Sequence, residues 1–156
     1  MRTEPTGRDD RATRDFVAFR VERAHARITA QAARVLAKDG ALTPRQWWII
    51  TDMVAEKPTT ATELAQIADL DKGLLSRNLK ALREMGFVHM ERDPGDQRQQ
   101  IISLTDAGHR KHEELLPLMT ARNQWLVHDV SDEDLETTFR VLEKLELAAE
   151  TTDFAS

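Results

Sequence analysis

TATELAQIADLDKGLLSRNLKALREMGFVHMERDPGDQRQQIISLT, residues 60–105, changes its hydrophobic period partway along, and that change decides the fold. Thr60 and Glu63 stand at capping-box spacing and open the apolar pattern Leu64, Ala65, Ile67, Ala68, which predicts a short helix ending near Leu70. Asp71 is a good N-cap for a second helix, in which Leu74, Leu75, Leu79, Leu82 and Met85 recur at helical spacing before Gly86 closes it. The period then becomes two. Val88 and Met90 alternate with His89 and Glu91, and Gln100, Ile102 and Leu104 alternate with Ile101 and Ser103. DPGDQ between the two runs is a turn by composition. A helix-turn-helix followed directly by a β-hairpin is a winged helix, so the expected class is mainly α with a small β-hairpin wing.

Upstream, Phe16, Phe19, Ile28, Val35 and Leu36 mark a long amphipathic helix over residues 13–38, with Gly40 as its stop. Thr43, Pro44 and Gln46 supply a cap, a proline at the first helical position and a capping-box partner for a helix over 44–56. Trp47, Trp48, Ile50, Met53 and Val54 give that helix a broad apolar face, and Pro58 breaks the pattern. Downstream, Thr105 caps a helix that reaches to about residue 128, with Pro117 expected to kink it. Ser131 with Asp134 opens a last helix bearing Leu135, Phe139, Leu142 and Leu145. Both terminal helical segments are apolar along one face, and a monomer of 156 residues is too small to cover them. Residues 1–12 and 150–156 read as flexible polar tails.

Composition excludes several classes. There is no cysteine, which removes disulfides, thiolate nucleophiles, cysteine-type zinc sites and cysteine-based peroxide sensing. No apolar run approaches the roughly 18 residues a membrane span needs, and the N-terminus lacks a secretory pattern, so a cytoplasmic protein is expected. No nucleophile elbow, phosphate loop or HExxH motif is present, so no enzyme is expected, and no cofactor.

The net charge of −5 argues against a nucleic-acid partner until its distribution is considered. From Asp71 to Arg98 there are six basic and five acidic residues, leaving the rest of the chain at −6. On the helix after Asp71, Lys72, Gly73, Ser76, Arg77 and Lys80 lie opposite the leucines. The bland reading is a solvated face, but no acid occurs between Lys72 and Arg83 to pair with the bases. Short polar side chains and arginine near a helix start suit base edges and flanking phosphates of double-stranded DNA. Arg98, on the narrow hairpin tip with Arg92, suits the minor groove. Asp96 is expected to hold the Arg98 side chain extended through a charge-assisted hydrogen bond.

LTPRQWWII, TATELAQIADLDKGLLSRNLKALREMGFV and DQRQQIISLT resemble the MarR family of bacterial transcriptional regulators over about residues 14–148, and the aspartate and arginine two apart before a strand ending in Leu-Thr resemble its wing signature. The resemblance implies a homodimeric, ligand-responsive repressor on a pseudo-palindromic operator. It implies a helical dimerisation region over 13–42 and 106–149, and a winged helix-turn-helix lobe over 43–105. Ser76 and Arg77 match the family's recognition-helix contacts, Arg98 its wing arginine and Asp96 the aspartate that orients it.

Similar proteins bind small anionic, often aromatic effectors, for which Arg20, Arg23, Trp47, Trp48 and His112 are the candidates here. Their bland readings are core tryptophans and exposed arginines. His109 and His112 with Glu113 share a helix face and invite a metal-responsive reading, but two histidines do not make a four-ligand site, so no metal is assigned. A winged helix that binds protein partners without DNA is the other alternative, and the acidic total is its support.

Overall fold

The structure is a computed structural model that describes residues 13–39 and 42–152. The Gly40 stop, the tail over 1–12 and the end of the tail over 153–156 lie outside the described residues. Numbered in chain order, a 3₁₀ turn Thr13–Asp15 leads into α1 Val17–Asp39, α2 Pro44–Ala55, α3 Ala61–Ile67, α4 Lys72–Glu84, β1 Val88–Arg92, β2 Gln100–Leu104, α5 Asp106–Leu126 and α6 Asp132–Ala149. The expected class holds: a mainly helical chain with a two-stranded antiparallel wing. Among the described residues, no helix is long and apolar enough to cross a membrane.

The helix starts form by local rules. Thr43 accepts the Gln46 N–H at 3.2 Å and donates its own to the Gln46 side chain at 2.9 Å. The same reciprocal box joins Thr60 and Glu63, at 3.2 Å in each direction. Three backbone and hydroxyl donors from Thr59 and Thr60 converge on that carboxylate and hold it below the usual carboxylate range. Ser131 accepts the Asp134 N–H at 3.1 Å, and Thr105 accepts that of Gly108 at 3.1 Å. α3 ends earlier than Leu70, because Asp69 turns into the left-handed region at φ 47 and the Leu70 N–H bonds back to Ala65.

Asp71 accepts the Leu74 N–H at 2.8 Å and fixes where α4 begins. At its other end, Gly86 at φ +78 lets the Gly86 N–H reach Arg83 and the Phe87 N–H reach Leu82, a Schellman closure. Asp71→Ala should cost about 1 kcal/mol of stability, the worth of an N-cap, measured by urea denaturation. An unchanged midpoint would mean that water caps α4 as well as the carboxylate does.

Contacts divide the chain into two units, one ending at Leu115 and the other beginning at Leu116. In the first, Leu36, Ile49, Ile50, Leu64, Leu75, Leu79, Leu82, Val88 and Ile102 form the buried centre. β1 and β2 pair with Val88 opposite Leu104 and Met90 opposite Ile102, so period-two alternation delivers Val88 and Ile102 inward. A third strand-like pairing, which the sequence pattern does not reveal, joins Thr60 to Ile101, with the Ile102 N–H donating to Thr59 at 2.9 Å. It pins the wing to the entrance of α3.

The second unit comprises the end of α5 and α6. α5 stays helical through Pro117, next to the boundary between the units. None of the described residues of α6 is buried.

Candidate nucleic-acid interface

α4 buries Leu75, Leu79 and Leu82 and turns Lys72, Gly73, Ser76, Arg77 and Lys80 to solvent. The hairpin turns its tip back toward the first half of that helix. A cleft of about 430 Å³ lies between them, lined by Lys72, Gly73 and Ser76 from the helix and by Arg98 and Gln100 from the wing. Residues more than twenty positions apart in the chain are thereby gathered on one exposed surface.

Thr62, at the start of α3, lines the same cleft and was not singled out from sequence, and neither was Gln100. Gln100 is the first residue of β2 and follows the turn that holds Arg98. Arg77 and Lys80 are exposed on the adjoining part of α4, outside the residues lining the cleft. A β-carbon on Gly73 would lie 3.6 Å from the Arg77 guanidinium and 3.2 Å from the Asp71 carboxylate. Gly73 therefore leaves room for both at the helix start. Lys80 approaches Glu84 at 4.0 Å, with both side chains well exposed, a pair too weak to hold the lysine.

The wing tip is built by two aspartates. Asp93 accepts the N–H groups of Gly95 at 2.7 Å and Asp96 at 3.3 Å, and its own N–H donates to Gln99 at 3.1 Å. Asp96 accepts the backbone N–H of Arg98 at 3.0 Å. That corrects the expected side-chain pairing: the carboxylate fixes the Arg98 backbone and leaves its guanidinium exposed. The reason is geometric, because an aspartate oxygen two residues upstream closes a turn through the main chain.

The five effector candidates do not share one environment. Trp47 is 2% exposed and His112 8%, and their rings stack at 5.1 Å with 8° between planes. Each fills the other's space, which favours the core reading for both. Arg20 and Arg23 share a shallow depression on α1 with Ala24 and Arg27, and Trp48 is 52% exposed. Adjacent residues on a helix diverge by about 100°, so Trp47 goes inward as Trp48 goes out. Among the described residues, no group of three or more histidine or acidic side chains is placed to hold a metal.

Burial pushes the His112 imidazole below its ordinary value, an effect that Glu113 opposes and His109 reinforces. With the folded-state value depressed, the unfolded chain takes up the proton first as pH falls. Stability is therefore full above about 6.5 and is lost as pH drops below it. Thermal midpoints at pH 7.5 and 5.5 should show a fall that shrinks in His112→Phe, which keeps an aromatic ring against Trp47. An identical fall in both proteins would remove His112 as its cause.

A sequence model of the MarR family matches residues 42–99, the stretch that contains α2, α3, α4 and most of the wing. The chain is 32% identical over 97 residues to the HTH-type transcriptional regulator TcaR of Staphylococcus aureus, covering 60% of this chain and 64% of that one. The M. tuberculosis transcriptional regulator MOSR, solved in complex with DNA, superposes with a TM-score of 0.76 and 25% identity, over 87% of this chain and 97% of its own. The PcaV regulator of Streptomyces coelicolor, solved with its natural ligand, has the same fold, with a TM-score of 0.70 and 21% identity over 96% and 99% of the two chains. These relatives are transcriptional regulators, not enzymes.

Proposed function

We propose that this chain is a transcriptional regulator of the MarR family that binds double-stranded DNA as a homodimeric, ligand-responsive repressor, a reading supported by the family-model match over residues 42–99. The observation that carries the reading is the cleft in which Lys72, Gly73 and Ser76 of α4 face Arg98 of the wing. α4 enters the major groove, with Ser76 and Arg77 reaching base edges and Lys72 and Lys80 the phosphates. Arg98 enters the adjacent minor groove, and Asp96 shapes the turn that presents it. The complex of MOSR with DNA supports the same partner for this chain.

The dimer reading rests on surfaces that the isolated chain leaves bare. Phe16 just before α1, Phe19 in its first turn, and Phe139, Val141 and Leu147 on α6 are all exposed. The two helices are opposite in charge. α1 has five basic and two acidic residues, and α6 has six acidic and two basic. Helix α1 of one copy thus meets a surface of suitable polarity on another, and the helical region over 13–42 and 106–149 serves as the dimerisation region.

The regulatory step is a shift between two dimer shapes, with the ligand lowering DNA affinity only by its differential affinity for them. The ligand-bound structure of PcaV supports a small-molecule response. Here Arg20 and Arg23, which line one depression on α1, are the side chains proposed to pair with an anion.

Binding to a duplex from the upstream region of its own gene, compared with a scrambled duplex of equal length, tests the reading. Arg77→Ala should narrow the preference between them by about 1–3 kcal/mol, the worth of a good base-edge contact. Absence of any duplex binding at low salt would sink the regulator reading in favour of a protein-interaction module.

A further inference from the structure

Every basic residue of α1 lies on one side of the helix. At about 100° per residue, Arg20, Arg23, Arg27, Arg34 and Lys38 fall within an arc of about 60°, and all are exposed. On α6, Asp132, Glu136, Glu143 and Glu146 occupy an arc of about 80°, and Glu150, the helical C-cap, prolongs it. None of these side chains has an ion pair or a hydrogen bond among the described residues. Stripe members three or four positions apart carry like charge, which costs helix stability unless opposite charge arrives from outside the helix. Arg140, on the flank of α6, is turned to the Thr137 hydroxyl at 3.1 Å and neutralises none of the stripe.

The spacing identifies the outside charge. Along α1 from Arg20, the steps to Arg27, Arg34 and Lys38 are seven, seven and four residues. Along α6 read backwards from Glu150, the steps to Glu143, Glu136 and Asp132 are the same. We propose that α1 of one copy lies antiparallel to α6 of a second copy in this register, and that salt therefore loosens the dimer. Arg20 then pairs with Glu150, Arg27 with Glu143, Arg34 with Glu136 and Lys38 with Asp132.

A parallel alignment keeps the seven-residue steps but sets Lys38 and Asp132 against phenylalanines, losing the fourth pair. One exposed ion pair contributes little, whereas a row of pairs desolvated in an interface acts together. The same charges choose the partner, because two α1 stripes repel each other and so do two α6 stripes. The inference rests on the homodimer reading above and adds to it a register, a direction and a response to ionic strength.

Arg20 also borders the depression assigned above to an anion, so the test uses the inner pairs. Sedimentation equilibrium of the full chain without DNA should show a dimer whose Kd rises at least about tenfold between about 0.05 and 0.5 M NaCl. Arg27→Glu and Glu143→Arg should each weaken it by about tenfold or more, turning an attraction into a repulsion. An equimolar mixture of the two should recover an affinity near that of the parent, which a misfolded variant could not do. Arg34→Glu should be recovered by Glu136→Arg and not by Glu150→Arg. A dimer indifferent to salt and to Arg27→Glu, or mixtures that recover nothing, overturns the charge register and leaves the homodimer standing. Recovery of Arg34→Glu by Glu150→Arg overturns the antiparallel alignment. A monomer at every salt concentration overturns the register and the homodimer together.

Discussion

Arg98→Ala should weaken binding to the upstream duplex and to an unrelated duplex by similar factors, roughly ten- to a hundredfold. The magnitude follows from the ~1.5–3 kcal/mol carried by a hydrogen bond to a charged group. The similarity follows from what the residue is proposed to touch, since contacts to phosphates carry no base information directly. Arg98 is exposed, and Asp96 holds its backbone at 3.0 Å, so the substitution leaves the turn itself intact. Fluorescence anisotropy on both duplexes provides the measurement. Arg98→Lys should recover part of the loss, because it restores the charge without the planar fork of donors. Parent-like affinity in Arg98→Ala would remove the wing from the mechanism.

The largest expected effect on stability is at Gly108, and there the sign decides the matter. On helix propensity alone, alanine in place of glycine near the start of α5 would stabilise by about 0.5–1 kcal/mol. A β-carbon at that position would stand 2.2 Å from the Phe87 carbonyl oxygen and 3.1 Å from Leu104 Cδ2. The nearer obstacle is backbone and accepts the Thr105 N–H at 3.0 Å, so no rotamer change relieves it. Gly108→Ala should instead destabilise by about 1–3 kcal/mol, a thermal midpoint lower by several degrees. A midpoint at or above that of the parent would mean that α5 moves off the hairpin without cost. The same contact holds α5 to the base of the wing, so a destabilised Gly108→Ala protein should also lose duplex affinity near its melting range.

The capping boxes at Thr43 and Thr60, the caps at Asp71 and Ser131 and the glycine closure at Gly86 were all legible in the sequence. Each depends on residues within five positions of one another, and local chemistry determines them. The hairpin was legible because its alternation continues on both sides of a proline-glycine turn. The long-range pairings left no such trace. Trp47 and His112, Thr60 and Ile101, and Gly108 and Phe87 meet only when the chain has folded, and no periodicity records a stack or a steric fit. Hence Trp47 and His112 resembled ligand-lining residues until their stacking placed them in the interior. The candidate site was half legible. Lys72, Gly73, Ser76 and Arg98 could be named from pattern and resemblance, but their shared cleft with Thr62 and Gln100 depends on how the wing folds back. Asp96 was correctly associated with Arg98, yet which of the arginine's donors it binds is a matter of turn geometry.

Hydroxyl-radical footprinting of the chain's own upstream region tests the central claim most directly, because it reads groove, spacing and symmetry together. Two recognition helices of a symmetric dimer should protect two windows about one helical turn, or roughly 10 base pairs, apart. Two outer minor-groove windows contacted by the wings should flank them and disappear in Arg98→Ala. No protection at low salt, or a single window without a symmetric partner, would contradict the account.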